Sequence, residues 1–237
     1  MRKKVFVAIT MTLLTSLSIY SCSQAGKEIR QEYTLGKLLY HEPFNSGLND
    51  WIIETPLKND STVTIKKNAM IIDVHAGATV WFDKKIEGNV YIEYKRKVIM
   101  AKGKNDRLSD VNTFWMANDP RRKNLFTRSG NFNEYDSLLL YYVGFGGNSN
   151  STTRFRKYEG NGERHLLEEY LDVDHLLQPN TEYTIRIIVY NGKTSFAIDG
   201  KEYFSFTDPH PIKEGYFGFR ITQSRQEIRD FRVYRIK

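Results

Sequence analysis

The chain has 237 residues, with 35 lysines and arginines against 28 aspartates and glutamates, and a single cysteine. One cysteine excludes a disulfide framework, so a chain of this length must rest on a packed core. Three of the basic residues, Arg2, Lys3 and Lys4, fall in an expected leader. The small positive excess that remains gives no nucleic-acid footprint.

In chain order, the basic start is followed by Val5 to Ile19. This mostly apolar run is too short and too rich in Ser and Thr for a membrane span. Residues 1–21 therefore read as a signal peptide. Cys22 follows Ser21 at the end of the run, an arrangement similar to a bacterial lipoprotein lipobox, although Tyr20 departs from the small residue usual there. Lipidation of Cys22 after cleavage is expected. A buried core thiol is the plain alternative. Lipidation implies a cell-envelope address, at the outer membrane or its periplasmic face, touching the membrane through the N-terminal lipid only. Residues 22–37 are polar, without apolar period, and read as a tether. Residues 38–237 read as one domain, and a monomer is the expectation.

From Leu38 the pattern is strand after strand. In "NVYIEYKRKVIM", Val90, Ile92, Tyr94, Arg96 and Val98 fall on one face. In "YTIRIIVYNGKTSFAIDGKEYFSF", Asn191-Gly192 and Asp199-Gly200 predict type I′ hairpins, whose two central residues need positive φ. "GYFGFRITQ" and "IRDFRVYRI" supply two further strands. "ERHLLEEYLDVDHLL" is the one helix candidate, with a covered loop as the alternative. Many short strands with hairpin turns predict an all-β, antiparallel two-sheet sandwich or jelly roll.

The C-terminal run "FAIDGKEYF", "PHPIKEGYFGFRITQS" and "IRDFRVYRI" resembles the closing half of a concanavalin-like jelly roll, and "EPFNSGLNDWIIE" resembles its opening. The resemblance implies that the last strand pairs with the first. "DVNTFWMANDP", "YYVGFGGNSNSTTRFRKY" and "GYFGFRITQS" resemble the YesU-like lipoproteins of Bacteroidetes polysaccharide-utilisation loci. Together these likenesses cover most of residues 38–237 and imply an oligo- or polysaccharide partner at the cell envelope. They carry no catalytic residue across.

The stretch "YYVGFGGNSNSTTRFRKYEG" holds the main candidate site. If its two halves are paired strands, Arg154, Arg156 and Tyr158 share one face of the second, Tyr142 lies on the first, and Asn148 and Asn150 sit at the turn. An arginine fork suits a carboxylate, and a tyrosine offers a ring face and a hydroxyl to a sugar. A solvated hairpin with a charged face is the competing reading. In "DVNTFWMANDP", Asp110, Asn112 and Phe114 share one face, with Val111, Thr113 and Trp115 on the other. The long basic loop "RRKNLFTRSGNFNEYDS" is expected to fold over the concave sheet as a lid, with Arg128 and Tyr135 towards the site. Asn112 and Arg220 are expected at the same cavity as Tyr142, Arg154 and Arg156, with Gln223 as a further substrate contact.

Glycosidases of this fold generally use paired strand carboxylates spaced Glu-x-Asp-x-x-Glu. Here Glu134 and Asp136 are followed by Leu139 where the second Glu should stand, which argues against that class. A lyase needs a group to neutralise a uronate carboxylate, a base and an acid. Tyr142, Tyr158 and Arg154 are the catalytic candidates for it. Asn112, Arg128, Asn148, Asn150, Arg156, Arg220 and Gln223 are the substrate-binding candidates. No zinc spacing or calcium loop is present, so no metal site or cofactor is assigned, and a structural calcium at the sandwich rim is left open. Two functions remain: a lyase-like enzyme on an acidic, uronate-containing glycan, or a non-catalytic carbohydrate-binding lipoprotein.

Overall fold

A computed structural model describes residues 33–56 and 61–237. The expected signal peptide, Cys22 and most of the expected tether lie outside these residues. Among the described residues, fifteen strands, numbered in chain order, form two antiparallel sheets, giving the expected jelly-roll sandwich. The seven-stranded sheet runs β10 (Arg164–Tyr170), β9 (Thr152–Glu159), β8 (Leu139–Gly146), β7 (Asn112–Asn118), β14 (Glu214–Ile221), β5 (Ala78–Glu87), β2 (Trp51–Glu54). The eight-stranded sheet runs β13 (Lys201–Thr207), β12 (Lys193–Ile198), β11 (Glu182–Tyr190), β6 (Val90–Val98), β15 (Ser224–Ile236), β4 (Met70–Val74), β3 (Thr62–Ile65). The first strand, β1 (Leu35–Glu42), pairs with the last, β15, and begins three residues ahead of the expected domain start. Along one edge of β15, β4 takes Ser224–Ile228 and β1 takes the stretch after the Asp230 irregularity.

The local chemistry accounts for these elements. Asn191 and Gly192 both have positive φ (47° and 82°), as do Asp199 and Gly200 (49° and 85°), so the two type I′ turns join β11, β12 and β13. On β6, Val90, Ile92, Tyr94, Arg96 and Val98 all face the buried interior. The core between the sheets is aromatic: Trp51 stacks on Phe219 at 5.9 Å, and Phe82, Phe217 and Phe231 close around them. Each such ring removes about 150–250 Å² from water, and a fully buried Phe side chain contributes about 1.5–3 kcal/mol.

The helix expectation for "ERHLLEEYLDVDHLL" is corrected. Residues 164–170 are strand β10, and only Val173–His175 makes a 3₁₀ turn. An isolated helix of about fifteen residues is marginal in water, whereas the free edge of β9 offers β10 a ready ladder. Arg154 on β9 then bonds Glu169 on β10 at 2.8 Å.

A second apolar cluster lies on the face of the seven-stranded sheet turned away from the core. Trp81, Phe114, Leu140, Tyr142 and Tyr158 form its floor, and Leu125, Tyr135 and Leu138 of the loop after β7 cover it. The loop is pinned by Glu54, which is 6% exposed. The Glu54 carboxylate accepts from Trp81 Nε1 (2.8 Å), Tyr135 Oη (2.9 Å) and the Arg128 backbone N–H (2.7 Å). The loop thus covers one part of the outer face and leaves the rest open.

Candidate functional site

In an antiparallel ladder, directly opposed residues share a face. Two adjacent rows cross the outer face. One reads Trp81, Gly218, Phe114, Tyr142, Arg156 and the other Thr79, Arg220, Asn112, Gly144, Arg154. The first begins under the covering loop, where Gly218 leaves room for the Trp81 ring: a Cβ there would stand 2.4 Å from it. The second is polar and opens into a cavity of about 220 Å³.

Tyr142, Asn112, Arg154, Arg156, Arg220 and Asp110 surround that cavity. Further wall comes from Arg107 before β7, Phe132 of the covering loop, Gly147 and Asn148 of the β8–β9 turn, Thr152 at the start of β9, and Thr222 after β14. The turn is fixed by unusual backbone. Asn148, Ser149 and Asn150 all have positive φ, and Asn150 bonds Leu177 twice, donating to its carbonyl (2.9 Å) and accepting from its N–H (2.8 Å). Gly144 is required at the floor. A Cβ there would lie 2.5 Å from the Tyr142 hydroxyl and 2.8 Å from Asp110 Oδ2, so the two groups adjoin the same small space.

The electrostatics are unbalanced towards positive charge. Arg154 is matched by Glu169, but Arg107, Arg156 and Arg220 have no ion-pair partner among the described residues. Arg156 lies over the Tyr142 ring at 5.8 Å. Arg220 is 1% exposed, stacks on Phe132 at 4.3 Å and donates to Thr222 Oγ1 at 2.9 Å, and its Nε has no acceptor. Burial pulls its pKa down, opposed by the neighbouring Tyr135 and Asp110. A guanidinium nonetheless stays protonated. Burial raises Asp110 above the ordinary carboxylate range, against the opposing effects of Arg96, Ser109 and Arg220. The Tyr142 hydroxyl donates to Asn112 Oδ1 at 2.8 Å. Burial, then the charge on Asp110, holds that phenol well above its usual value, so it keeps its proton at neutral pH.

Of the sequence candidates, the structure brings Tyr142, Arg154, Arg156, Asn112, Asn148 and Arg220 to one cavity. It sets four apart. Tyr158 is 1% exposed and stacks behind Tyr142 at 5.8 Å, packed in the apolar cluster. Arg128 is turned into its own loop, bonding Asp119 (2.5 Å), the Glu134 carbonyl (2.7 Å) and the Leu125 carbonyl (2.8 Å). Asn150 is spent on the turn. Gln223, half-buried in the β14–β15 connection, is not part of the cavity wall. Tyr135 points to Glu54 rather than to the cavity.

A family model described as "Domain of unknown function (DUF6250)" matches residues 72–231. The chain belongs to the DUF6250 family. The DUF6250 span contains every residue of the cavity wall. No curated protein is similar to the chain at a significant level. Among solved structures, one similar chain is a Bacillus subtilis protein of unknown function with a galectin-like fold. It is 20% identical with a TM-score of 0.70, over 86% of this chain and 98% of that one. A Pyrococcus furiosus endo-β-1,3-glucanase is 10% identical with a TM-score of 0.61, over 85% and 95%. The carbohydrate-binding module CBM66 from Bacillus subtilis is 11% identical with a TM-score of 0.53, over 77% and 93%. At these identities the likeness establishes the fold.

Within the DUF6250 span, sequence reasoning set Asp110 with Asn112 on one face as a polar pair, and both stand in the cavity wall. It did not single out Gly144, Gly147 or Thr152, which lie within the candidate hairpin, and it missed Arg107, Phe132 and Thr222. These last three arrive from connections whose direction no alternation pattern encodes.

Proposed function

We propose that this chain is a glycan-recognition protein that binds an acidic, uronate-containing sugar in the outer-face cavity. The carrying observation is the buried Arg220 guanidinium, which has no carboxylate partner and stands with Arg107 and Arg156 in a wall also made of Tyr142 and Asn112. A buried cation without a carboxylate in ion-pair contact is costly, and a ligand carboxylate supplies the missing partner in a fork geometry. Sandwiches of similar shape include a protein titled a carbohydrate-binding module and one titled an endo-β-1,3-glucanase, which supports a saccharide ligand on this architecture. The cavity wall holds one carboxylate, Asp110, and a glycosidase of the usual kind needs two.

Lyase action is the second reading. It is favoured by the shared space beside Gly144, where the Asp110 carboxylate and the Tyr142 hydroxyl meet. There Asp110 would serve as base and Tyr142, which retains its proton, as acid towards the leaving oxygen. Incubation with a panel of uronate polysaccharides tests both readings. Affinity without unsaturated, ultraviolet-absorbing product supports recognition, product supports the lyase, and binding restricted to neutral glycans overturns both. The protein is further proposed to be a YesU-like envelope lipoprotein anchored through Cys22. Cys22→Ala should release it from membranes, and continued membrane fractionation of that variant would refute the anchor.

A further inference from the structure

The cavity's shape restricts which part of a glycan it accepts. We propose that it takes a single acidic sugar residue at a chain end, with the sugar carboxylate against Arg220, rather than an internal segment of a polymer. This rests on the acidic-glycan reading and narrows it.

Three observations lead there. The first is size. At about 220 Å³ the cavity falls below the roughly 300–1,000 Å³ typical of pockets for drug-sized ligands. That is space on the scale of one pyranose ring. The second is the walling of the floor. The sheet floor is walled by three separate segments: Arg107 and Asp110, Phe132 of the covering loop, and the Gly147–Thr152 turn. Two of these walls are held in place. Asn150 ties the turn to Leu177 at both its carbonyl and its N–H. The covering loop is tied through the Glu54 bonds to Trp81, Tyr135 and Arg128. An open groove for a running chain would have a path out along the sheet rows. Here the Tyr142 row passes under the covering loop at Phe114 and Trp81.

The third is where the unmatched charge sits. Arg220 is 1% exposed, its Nε has no acceptor, and its plane is stacked on Phe132, so it is fixed before any ligand arrives. Arg154, nearer the edge of the sheet, is already paired with Glu169. A carboxylate reaching the deep arginine must be carried by a sugar inserted into the cavity, and only a terminal residue can be inserted without threading the chain through a wall. Asn112, Asn148 and Asp110 remain to bond ring hydroxyls.

Calorimetric titration of the full chain tests this. The probes are galacturonate, glucuronate, mannuronate and guluronate, each as monosaccharide, trimer and long polymer, with the methyl esters as controls. End recognition predicts that at least one acid binds as a monosaccharide within about threefold of the Kd of its trimer. It also predicts one protein per polymer chain, and loss of tenfold or more on esterification. Phe132→Ala should weaken the monosaccharide about tenfold, because it removes both a wall and the stacking partner of Arg220. Affinity that climbs more than tenfold from monosaccharide to trimer, with several proteins per polymer chain, overturns end recognition while leaving acidic-glycan binding intact. Absence of binding to every acid in the panel overturns both.

Discussion

Arg154 donates from Nε to Glu169 Oε2 at 2.8 Å, across the β9–β10 pair. Its neighbour on the same face, Arg156, lies over the Tyr142 ring and has no ion-pair partner among the described residues. Two arginines that the sequence makes equivalent are therefore different groups. Arg156→Ala is expected to weaken binding of an acidic glycan by about 1.5–3 kcal/mol, the range for hydrogen bonds to charged groups. Arg154→Ala should cost less than about 1 kcal/mol, because its charge is already committed to a partly exposed pair. Titration calorimetry of the two variants checks this ordering. Equal losses would mean that Glu169 yields Arg154 to the ligand.

Arg220 gives a sharper contrast. Replacing even a buried ion pair by apolar side chains of similar volume is often neutral or stabilising by about 1–4 kcal/mol, and Arg220 lacks the partner that would offset its desolvation. Arg220→Met is therefore expected to hold or raise the melting temperature, by roughly 2–4 °C per kcal/mol gained in a chain of this size. The same variant should lose acidic-glycan binding. Thermal unfolding and calorimetry on one preparation read both effects. A variant that melts much lower would show that Arg220 is retained for the fold.

Strand periodicity and turn chemistry made the architecture legible. Val90 to Val98 alternate as a half-buried strand must, and Asn191-Gly192 and Asp199-Gly200 could hardly be anything but hairpin turns. "ERHLLEEY" was not legible, because its glutamates suit a helix surface as well as an exposed edge strand, and only the free edge of β9 decides between them. The site divided the same way. Residues that share a strand face, such as Tyr142 and Arg156 or Asn112 and Arg220, were expected together from alternation combined with the concave sheet of the resembled fold. Arg128 was misplaced because loop side chains obey no period, and its true partner Asp119 lies in the same loop nine residues earlier. Glu54 had no sequence signal at all: its partners Trp81, Arg128 and Tyr135 lie 27, 74 and 81 residues away.

Glu54 also predicts a stability effect. Glu54→Leu leaves the Trp81 N–H, the Tyr135 hydroxyl and the Arg128 backbone N–H without their acceptor. Each buried group left unsatisfied costs about 1–3 kcal/mol. The variant should lose several kcal/mol in urea denaturation, and its covering loop should be cut by protease ahead of global unfolding. Glu54→Gln keeps one acceptor and should fall between. A loop as resistant in Glu54→Leu as in the parent would place the anchoring in the apolar contacts of Leu125 and Leu138 instead.

The same loop carries an acid-sensitive bond. Asp119 is covered, and desolvation pushes its carboxyl up, but the Arg121 N–H and the Arg128 guanidinium together outweigh this and hold its pKa below the ordinary value. Glu134 behaves alike: desolvation is outweighed by the Ser129 N–H and hydroxyl and by Asn131. A carboxylate whose folded pKa is depressed contributes stability that is complete above its unfolded pKa, about 4 for these groups, and is lost as pH falls through the lower folded value. Amide hydrogen exchange in residues 119–136 is therefore expected to stay slow from pH 7 down to about 4 and to lose protection below it, after correction for the intrinsic exchange rate. Asp119→Asn should show reduced protection at neutral pH and a flatter acid response, since the titrating partner of Arg128 is gone. The cavity should follow the loop, because Phe132 sits within it and supplies the face on which Arg220 rests. Acid should thus weaken ligand binding in the parent more steeply than in Asp119→Asn. If the two proteins lose protection in parallel across the whole range, the Asp119–Arg128 pair does not hold the wall.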